Sequence, residues 1–333
     1  MVVLYHTYAY AIRYIPDYHG IFEATINLGQ IGVLLFFVIS GFIMSYLIDK
    51  GENRFLLKRF LRIYPSYFLA VIVVVFLTLF LFSSVSLPHL LQAISLLPFK
   101  VMQSPDAAYP LKVEWTLIYE VFFYLVCACL SLRQVRPFRY LFMGVWFLVI
   151  VVMNYHLGSY TTMRPSYLQI AFSSYDILFI LGFSLYLLYK KVRPVFSRNI
   201  HPIMFWLLII SVIFVEHLLF NIAMMAMYKF ILIGLIDSCL MIFLLASDTR
   251  GSNSFITRIG DNSYGIYLMH ASIIDISFAM LNNYHVSINL YSMLLVFSLS
   301  LLGGNLFGII DMAVQKWIKN QSITNLVLQG KAG

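Results

Sequence analysis

Apolar runs long enough to cross a membrane recur from one end of this 333-residue chain to the other. A helix needs about 20 apolar residues to cross a hydrocarbon core of about 30 Å, because it rises about 1.5 Å per residue. Breaks at proline, glycine and charged residues separate ten such runs. The predicted segments are about 1–15, 28–48, 65–85, 115–131, 140–153, 170–189, 203–220, 226–247, 261–280 and 288–314. The pattern predicts an all-α, polytopic membrane helix bundle of about ten transmembrane helices, forming a single domain over 1–333.

Two segments are short: the fifth, 140–153, and the first, which reaches only to about Ile15 before Pro16. The first has two interpretations. At about 1.5 Å per residue it would span about 22 Å, which is short of a full crossing. It is therefore either a half-span buried in protein or a helix truncated at its N-terminus, with the true start upstream of Met1. We favour the truncated helix.

Basic residues alternate between the connections of these segments. One set of connections holds 17 of the 22: Lys50, Arg54, Lys58, Arg59, Arg62, Arg133, Arg136, Arg139, Lys190, Lys191, Arg193, Arg198, Arg250, Arg258, Lys316, Lys319 and Lys331. The other set holds Arg13, Lys100, Lys112, Arg164 and Lys229. By the positive-inside rule the first set faces the cytoplasm. We therefore expect a multi-pass protein of the cytoplasmic (inner) membrane, in contact with membrane lipids, with both termini in the cytoplasm.

Composition supports this class and excludes others. The chain is 61% hydrophobic and only 11% charged, whereas soluble domains carry about 25% charged residues. The formal charge of +8 does not indicate a nucleic-acid partner, because the basic residues lie in short connections between apolar runs. The three cysteines, Cys127, Cys129 and Cys239, lie inside apolar runs and predict neither a disulfide nor a metal site.

Three ionisable groups lie at predicted membrane depth, where each requires a partner or a function. His6 lies about nine residues inside the outer end of the first segment, His270 near the middle of the ninth, and Glu120 near the outer end of the fourth. We expect the three to meet in the outer half of the bundle. A neutral imidazole beside a carboxylate suits removal of a proton from a hydroxyl, so His6 and Glu120 are candidate catalytic residues. In the alternative, each histidine only hydrogen-bonds a neighbouring helix.

A dense basic cluster follows the second segment. Arg59 and Arg62 are three residues apart and share a helical face, which Lys58 extends, before a predicted stop at Tyr64-Pro65. Arginine side chains bind phosphate oxygens in pairs, so the cluster is a candidate polyphosphate site. In the alternative, these residues only set topology or contact anionic lipid.

Other polar positions have plainer interpretations. Trp115 would by itself be an interfacial residue, and Glu114 is expected to remain in water. Ser40-Gly41 is expected to allow close helix packing, since a nucleophilic Ser40 would need a base that the sequence does not reveal. Three further acidic residues are interpreted as structural: Asp237, Asp275 and Asp311.

Four blocks of residues occur in a fixed order over nearly the whole chain. They are LFFVISGFI at 35–43, RFLRIYP at 59–65, WTLIYE at 115–120 followed by FFY at 122–124, and GDNSYGIYLMH at 260–270. Together they resemble the integral-membrane acyltransferase-3 family. The blocks around Ser40 and Trp115 are most similar to its exopolysaccharide and O-antigen O-acetyltransferase branch.

The resemblance implies a bundle of about ten helices that moves an acyl group, most often acetyl from acetyl-CoA, onto a hydroxyl. It places the family's first-helix histidine at His6, its arginine pair at Arg59 and Arg62, and its Trp and Glu block at Trp115 and Glu120. Acetyl-CoA is then the acyl-donor substrate, with no metal. Lys58 and Tyr64 complete the donor site, whereas Ser40, Tyr264 and His270 bind substrate or support the site.

Two positions depart from the family pattern. The family commonly has an arginine about eleven residues before the first-helix histidine, and this chain has no such position. Its last helix usually has an acidic residue before a proline, whereas Asp311 is followed by Met312-Ala313. Asp311 is therefore left out of the predicted catalytic set.

The resulting hypothesis is an O-acyltransferase that binds acyl-CoA at the cytosolic face and acylates a polysaccharide, a lipid-linked sugar or a monomeric sugar. His6 would act as general base with Glu120 orienting its imidazole, and a covalent acyl intermediate is left open. A secondary transporter or flippase for a glycan is the alternative, because buried ionisable groups also serve proton coupling. A non-catalytic scaffold would leave His6 and Glu120 without a role.

Overall fold

The computed structural model describes residues 1–15, 26–52, 54–82, 94–96, 110–163, 165–192, 202–246 and 254–329. Its helices are α1 (Val2–Ala11), α2 (Ile26–Asp49), α3 (Phe55–Phe82), α4 (Glu114–Ser131), α5 (Arg139–Leu157), α6 (Tyr167–Ala171), α7 (Ser174–Val192), α8 (Pro202–Asn221), α9 (Ala226–Ala246), α10 (Ser254–Asp261), α11 (Ser263–Asn283) and α12 (Leu290–Gln329). The predicted all-α fold class is confirmed for this part of the chain. Six basic residues of the charge pattern lie outside it: Lys100, Arg164, Arg193, Arg198, Arg250 and Lys331.

Each of the ten predicted segments corresponds to a helix. Among the described residues, eight helical stretches are long and apolar enough to cross a membrane, with α6 and α7 counted as one stretch. The apolar part of α8, Trp206–Asn221, is shorter, and α1 has 10 residues. The third segment was predicted to extend to 85, and its last residues, 83–85, lie outside the described part of the chain.

The start of α3 corrects the predicted boundary after the basic cluster. We expected a stop at Tyr64 and a new span from Pro65, but α3 is one helix from Phe55 to Phe82 with Pro65 inside it. The basic cluster therefore forms the first turns of a long apolar helix. Its side chains are placed by helical geometry and not by a loop.

Neighbouring helices explain why the helix continues through Pro65. A proline lacks the backbone N–H that a helix uses, which leaves Leu61 O, four residues earlier, without its usual donor. Side chains of other helices donate to the next two carbonyls of this turn: Gln315 Nε2 to Arg62 O and Tyr264 Oη to Ile63 O, each at 3.1 Å. These contacts tie α11 and α12 to the same turn of α3.

Two glycines bring α2 and α7 into backbone contact. A Cβ atom at Gly41 would lie 2.0 Å from Phe179 O, and one at Gly182 would lie 1.9 Å from Val38 O. No side chain larger than hydrogen fits at either position unless the helices separate. The close approach predicted at Gly41 is confirmed, and Ser40 is buried beside it.

The Gly182→Ala variant is expected to lower the free energy of unfolding by about 1–3 kcal/mol, because the added methyl group displaces the backbone at Val38. Gly144→Ala on α5 is the matched control, since nothing lies within 4 Å of a Cβ there. Alanine also favours the helix by up to about 1 kcal/mol over glycine. Thermal unfolding of both variants in detergent tests this, and a Gly182→Ala protein as stable as Gly144→Ala would contradict the close packing.

Charged residues gather at two opposite ends of the bundle. At the C-terminal end of α2, Asp49 pairs with Arg139 at 3.0 Å and Lys190 at 2.9 Å. At the other end, Arg13 and Lys112 both pair with Asp275. The sequence pattern assigned these cations to different membrane faces, and the described residues place them accordingly.

Glu114 corrects a further expectation, because its side chain is buried and not in water. It is the first residue of α4, and its Oε1 accepts a hydrogen bond from Leu111 N at 2.6 Å. Backbone N–H groups at a helix N-terminus lack intrahelical partners and attract a carboxylate. Glu114 therefore fixes the chain that leads into α4.

Candidate active site

A cavity of about 190 Å³ lies between α1, α2, α4 and α11. One face of α1 forms a wall of the cavity, with Val2, Tyr5, His6, Ala9 and Tyr10 at helical spacing, and Arg13 lines it from the turn that follows the helix. Trp115, Thr116 and Tyr267 line another side. The cavity is mainly aromatic and apolar, and His6 supplies an imidazole to its wall.

His6 and His270 come together, as the sequence predicted. Their ring centroids are 5.2 Å apart, with His6 on α1 and His270 on α11. His270 is buried, whereas His6 is partly accessible from the cavity. His6 is thus the histidine that a molecule in the cavity meets first.

The hydrogen bonds of His270 determine its tautomer. Its Nδ1 lies 3.0 Å from Ile266 O and 2.8 Å from Tyr267 O. A carbonyl oxygen only accepts, so Nδ1 carries the proton and Nε2 of the neutral ring holds a lone pair. Nε2 is buried and has no hydrogen-bond partner among the residues that the structure describes. His270 therefore presents an available acceptor next to His6.

A row of aromatic rings on α11 connects this pair with the basic cluster. Tyr264, Tyr267 and His270 follow at three-residue spacing, with 6.3 Å between consecutive ring centroids. The guanidinium of Arg62 lies over the Tyr264 ring at 4.9 Å. The row covers six residues, or about 9 Å of helix. One face of α11 thus runs from the arginine at one end to the histidine pair at the other.

Asp311 holds Arg62 in this position. The Arg62 guanidinium pairs with Asp311 Oδ2 at 3.3 Å, and Ser66 donates to Oδ1 of the same carboxylate. Asp311 is only 1% exposed, whereas the Arg62 side chain is 44% exposed. The sequence interpretation left Asp311 out of the site as structural. The presence of an acidic residue inside an apolar run was a signal that Asp311 belongs to the site. Its partner Arg62 on α3 is 249 residues away and could not be identified from the sequence.

Arg59 and Lys58 converge on Glu52. Lys58 Nζ lies 3.1 Å and Arg59 Nη2 3.5 Å from its carboxylate. The Arg59 side chain is only 18% exposed, and within the described part of the chain its buried Nε has no hydrogen-bond partner. The cluster predicted from the sequence therefore exists, with acidic partners and with one buried donor still available.

Glu120 lies with the arginines and not with the histidines. Tyr124 Oη donates to its carboxylate, and Arg59 and Arg62 both attract it electrostatically. No described contact joins it to His6. The predicted meeting of Glu120 with the histidine pair is wrong, because Glu120 lies one turn of α4 beyond Thr116 of the cavity wall, toward the arginines.

The remaining predicted residues line or support the same region. Trp115 lines the cavity and packs on Tyr175 inside the bundle, with ring centroids 5.3 Å apart. Tyr64 donates to Ser95 O at 2.9 Å and stacks on Phe60. Tyr64 therefore lies on the turn of α3 that follows Phe60, next to the arginine cluster.

Comparison with known proteins assigns a family to this architecture. A family model described as an acyltransferase domain matches residues 1–310. The chain is also similar to the exopolysaccharide production protein ExoZ of Rhizobium meliloti (strain 1021), with 35% identity over 133 residues. That match covers 38% of this chain and 41% of ExoZ, so the chain spans about two fifths of that relative. No solved structure matches the chain. Since the family model covers nearly the whole sequence, the chain belongs to the membrane acyltransferase family that the four sequence blocks indicated.

Proposed function

We propose that this protein is a membrane O-acyltransferase that transfers an acetyl or other short acyl group from acyl-CoA to a hydroxyl of a cell-surface or exported polysaccharide, or of its sugar precursor. The observation that carries the proposal is the continuous row from Arg62 through Tyr264 and Tyr267 to His270 and His6. It connects an anion-binding end with a proton-accepting end. An acyltransferase that uses a long, phosphorylated donor needs both.

The donor phosphates would bind at the arginine end. Arg59 offers the buried, unpartnered Nε, Arg62 is held by Asp311, and Lys58 adds an exposed ammonium. Charge-assisted hydrogen bonds to phosphate are among the stronger polar contacts in proteins. The pantetheine arm of acyl-CoA is long enough to follow α11 toward the cavity. The thioester would then lie near His6.

The chemistry uses His6 as the base and His270 as its support. His6 removes the proton of the acceptor hydroxyl as its oxygen forms a bond to the thioester carbonyl carbon. The carbon–sulfur bond then breaks, and the imidazolium returns the proton to the departing thiolate. The products are the ester and CoA with a free thiol. Nε2 of His270 stabilises the protonated His6 ring by accepting a hydrogen bond.

Orientation follows from the charge pattern. The end of the bundle that holds Asp49, Arg139 and Lys190 would face the cytoplasm, where acyl-CoA is available. Both termini would then be cytoplasmic and the membrane would be the cell inner membrane. The cavity mouth at Arg13 would face outward, toward a glycan acceptor. The name of the relative ExoZ, which refers to exopolysaccharide production, supports a polysaccharide acceptor.

Reconstitution tests this function. The purified protein in lipid vesicles is supplied with labelled acetyl-CoA and a panel of glycans, and label in the glycan and free CoA thiol are both measured. Equal amounts of acetylated glycan and CoA are the expected result. Glycan movement across the vesicle without consumption of acetyl-CoA would replace the proposal with a secondary transporter or flippase.

Variants of His270 distinguish its proposed role, which is to support His6, from the role of His6 as the base. His270→Asn keeps a donor near Ile266 O but removes the Nε2 acceptor, so we expect a lower kcat with an unchanged KM for acetyl-CoA. The loss should be smaller than that of a His6 variant, because His270 acts through His6. His270→Gln, which places an amide group near Nε2, should restore part of the rate. Equal losses in both variants, with lower stability, would indicate a packing role only.

A further inference from the structure

Two cations lie at the end of the cavity opposite to the arginine cluster. Arg13 and Lys112 both line the cavity together with His6. Each also pairs with Asp275, and the Arg13 distance is 3.5 Å. The three groups carry a net charge of +1 at neutral pH. The proposed acyl transfer gives these two cations no role.

Arg13 lies in the turn that follows α1, seven residues after His6, and its backbone N–H donates to Tyr10 O at 3.3 Å. Its guanidinium lies over the Tyr10 ring at 4.2 Å, and Lys112 Nζ lies over the same ring at 5.4 Å. The Arg13 side chain remains 58% exposed. The Tyr10 ring therefore holds both cations at the mouth of the cavity, with Arg13 still open to a ligand.

Lys112 is held by a constrained turn. Its φ is +65°, in the left-handed region that a residue with a Cβ rarely adopts. Buried Glu114 accepts from Leu111 N at 2.6 Å, and Tyr267 Oη donates to Val113 O at 2.6 Å. The hydrogen bonds on either side of Lys112 hold its backbone in this conformation. Such strain is retained where the surrounding structure enforces it, which is typical of functional positions.

We propose that Arg13 and Lys112 bind an anionic group of the acceptor, a phosphate or a carboxylate, in the same cavity in which His6 receives the hydroxyl that is acylated. This inference rests on the proposed function, since it names the acceptor class for the same cavity. A sugar ring between the two points would lie against the aromatic wall that includes Tyr5, Tyr10 and Trp115. The anion would share the two cations with Asp275. The site thereby favours acidic glycans or phosphate-linked sugars over neutral ones.

Direct binding and transfer are measured with three probes that share one disaccharide: a neutral form, a form in which one sugar is a uronic acid, and a polyprenyl-diphosphate-linked form. Arg13→Gln and Lys112→Gln are each expected to lower the affinity for the preferred anionic probe by about tenfold or more, with little change in the affinity for the neutral probe. Lys229→Gln is the matched control, because Lys229 belongs to the same predicted face but bonds Phe220 O and does not line the cavity. Comparison of the uronic acid probe with the diphosphate-linked probe shows whether the site prefers a carboxylate or a phosphate.

Three results would overturn the acceptor site. In the first, Arg13→Gln and Lys112→Gln lower the affinities for the neutral and anionic probes equally. In the second, these variants leave the affinity for both anionic probes unchanged. In the third, the Lys229→Gln control loses binding as well. A test on the wild-type protein does not depend on the folding of the variants. The affinity of the wild type for the anionic probe should fall with added salt, whereas its affinity for the neutral probe should not. Equilibrium binding does not require catalysis, so absence of acyl transfer with intact anion binding would reject the proposed function but not this site.

Discussion

His6→Gln is expected to lower kcat for acyl transfer by about 10²- to 10⁴-fold, which is the usual contribution of a general base. Glutamine keeps a polar side chain of similar reach but does not accept a proton at neutral pH. The KM for acetyl-CoA should change little, because the donor phosphates would bind at the other end of the aromatic row, near Arg62 and Tyr264. Initial rates of glycan acetylation in reconstituted vesicles measure both constants.

An exposed histidine provides the control for this prediction. His156→Gln, at the end of α5, changes the same side chain on the surface of the bundle and should leave both constants unaltered. A His6→Gln protein that transfers acetyl at the wild-type rate would reject His6 as the base. A loss of rate accompanied by lower thermal stability than His156→Gln would instead indicate that His6 is needed for packing of α1.

Arg59→Ala is expected to raise the KM for acetyl-CoA by about 10- to 100-fold, because charge-assisted hydrogen bonds contribute about 1.5–3 kcal/mol each. The effect should exceed that of Lys58→Ala, since Lys58 is half exposed whereas Arg59 is mostly buried and has an unpartnered Nε. The kcat at saturating donor should be retained if the arginine acts in binding alone. Saturation kinetics with acetyl-CoA separate the two constants.

Arg133→Ala is the matched control for charge. Arg133 is exposed, and the charge pattern assigns it to the same membrane face as Arg59. If general attraction of the anionic donor to that face explains its binding, the two variants will raise KM equally, and the Arg59 site is rejected. Arg59→Lys should recover only part of the affinity, because an ammonium does not reproduce the paired geometry of guanidinium.

Much of the fold was predictable because hydropathy and charge are local properties. All ten predicted segments correspond to helices, and the described cations of the two predicted faces gather at opposite ends. The main misplaced boundary was at Pro65. A proline stops a helix in most contexts, whereas here Gln315 and Tyr264 on other helices bond the turn of α3 that precedes it.

The candidate site was predictable in part. His6 and His270 were expected to meet and they do, whereas Glu120 lies with the arginines. Asp311 was set aside because the residues that follow it depart from the family pattern, yet it is the partner of Arg62. The sequence therefore indicated which residues belong to the site more reliably than it indicated which residues they contact. A partner on another helix depends on the relative heights and rotations of the helices, which hydropathy does not encode.

The sequence by itself determined the membrane class of this protein, its helices, the separation of its basic residues into two sets and its acyltransferase family. Only the tertiary structure decided the depth of each functional group. Glycines at 41 and 182 set the contact of α2 with α7, and the packing of α1 against α11 places His6 beside His270. The physical reason is that packing against neighbouring helices fixes which face of a helix a residue shares with its partners and at what height the residue lies. The row of side chains from Arg62 to His6 is a property of that packing.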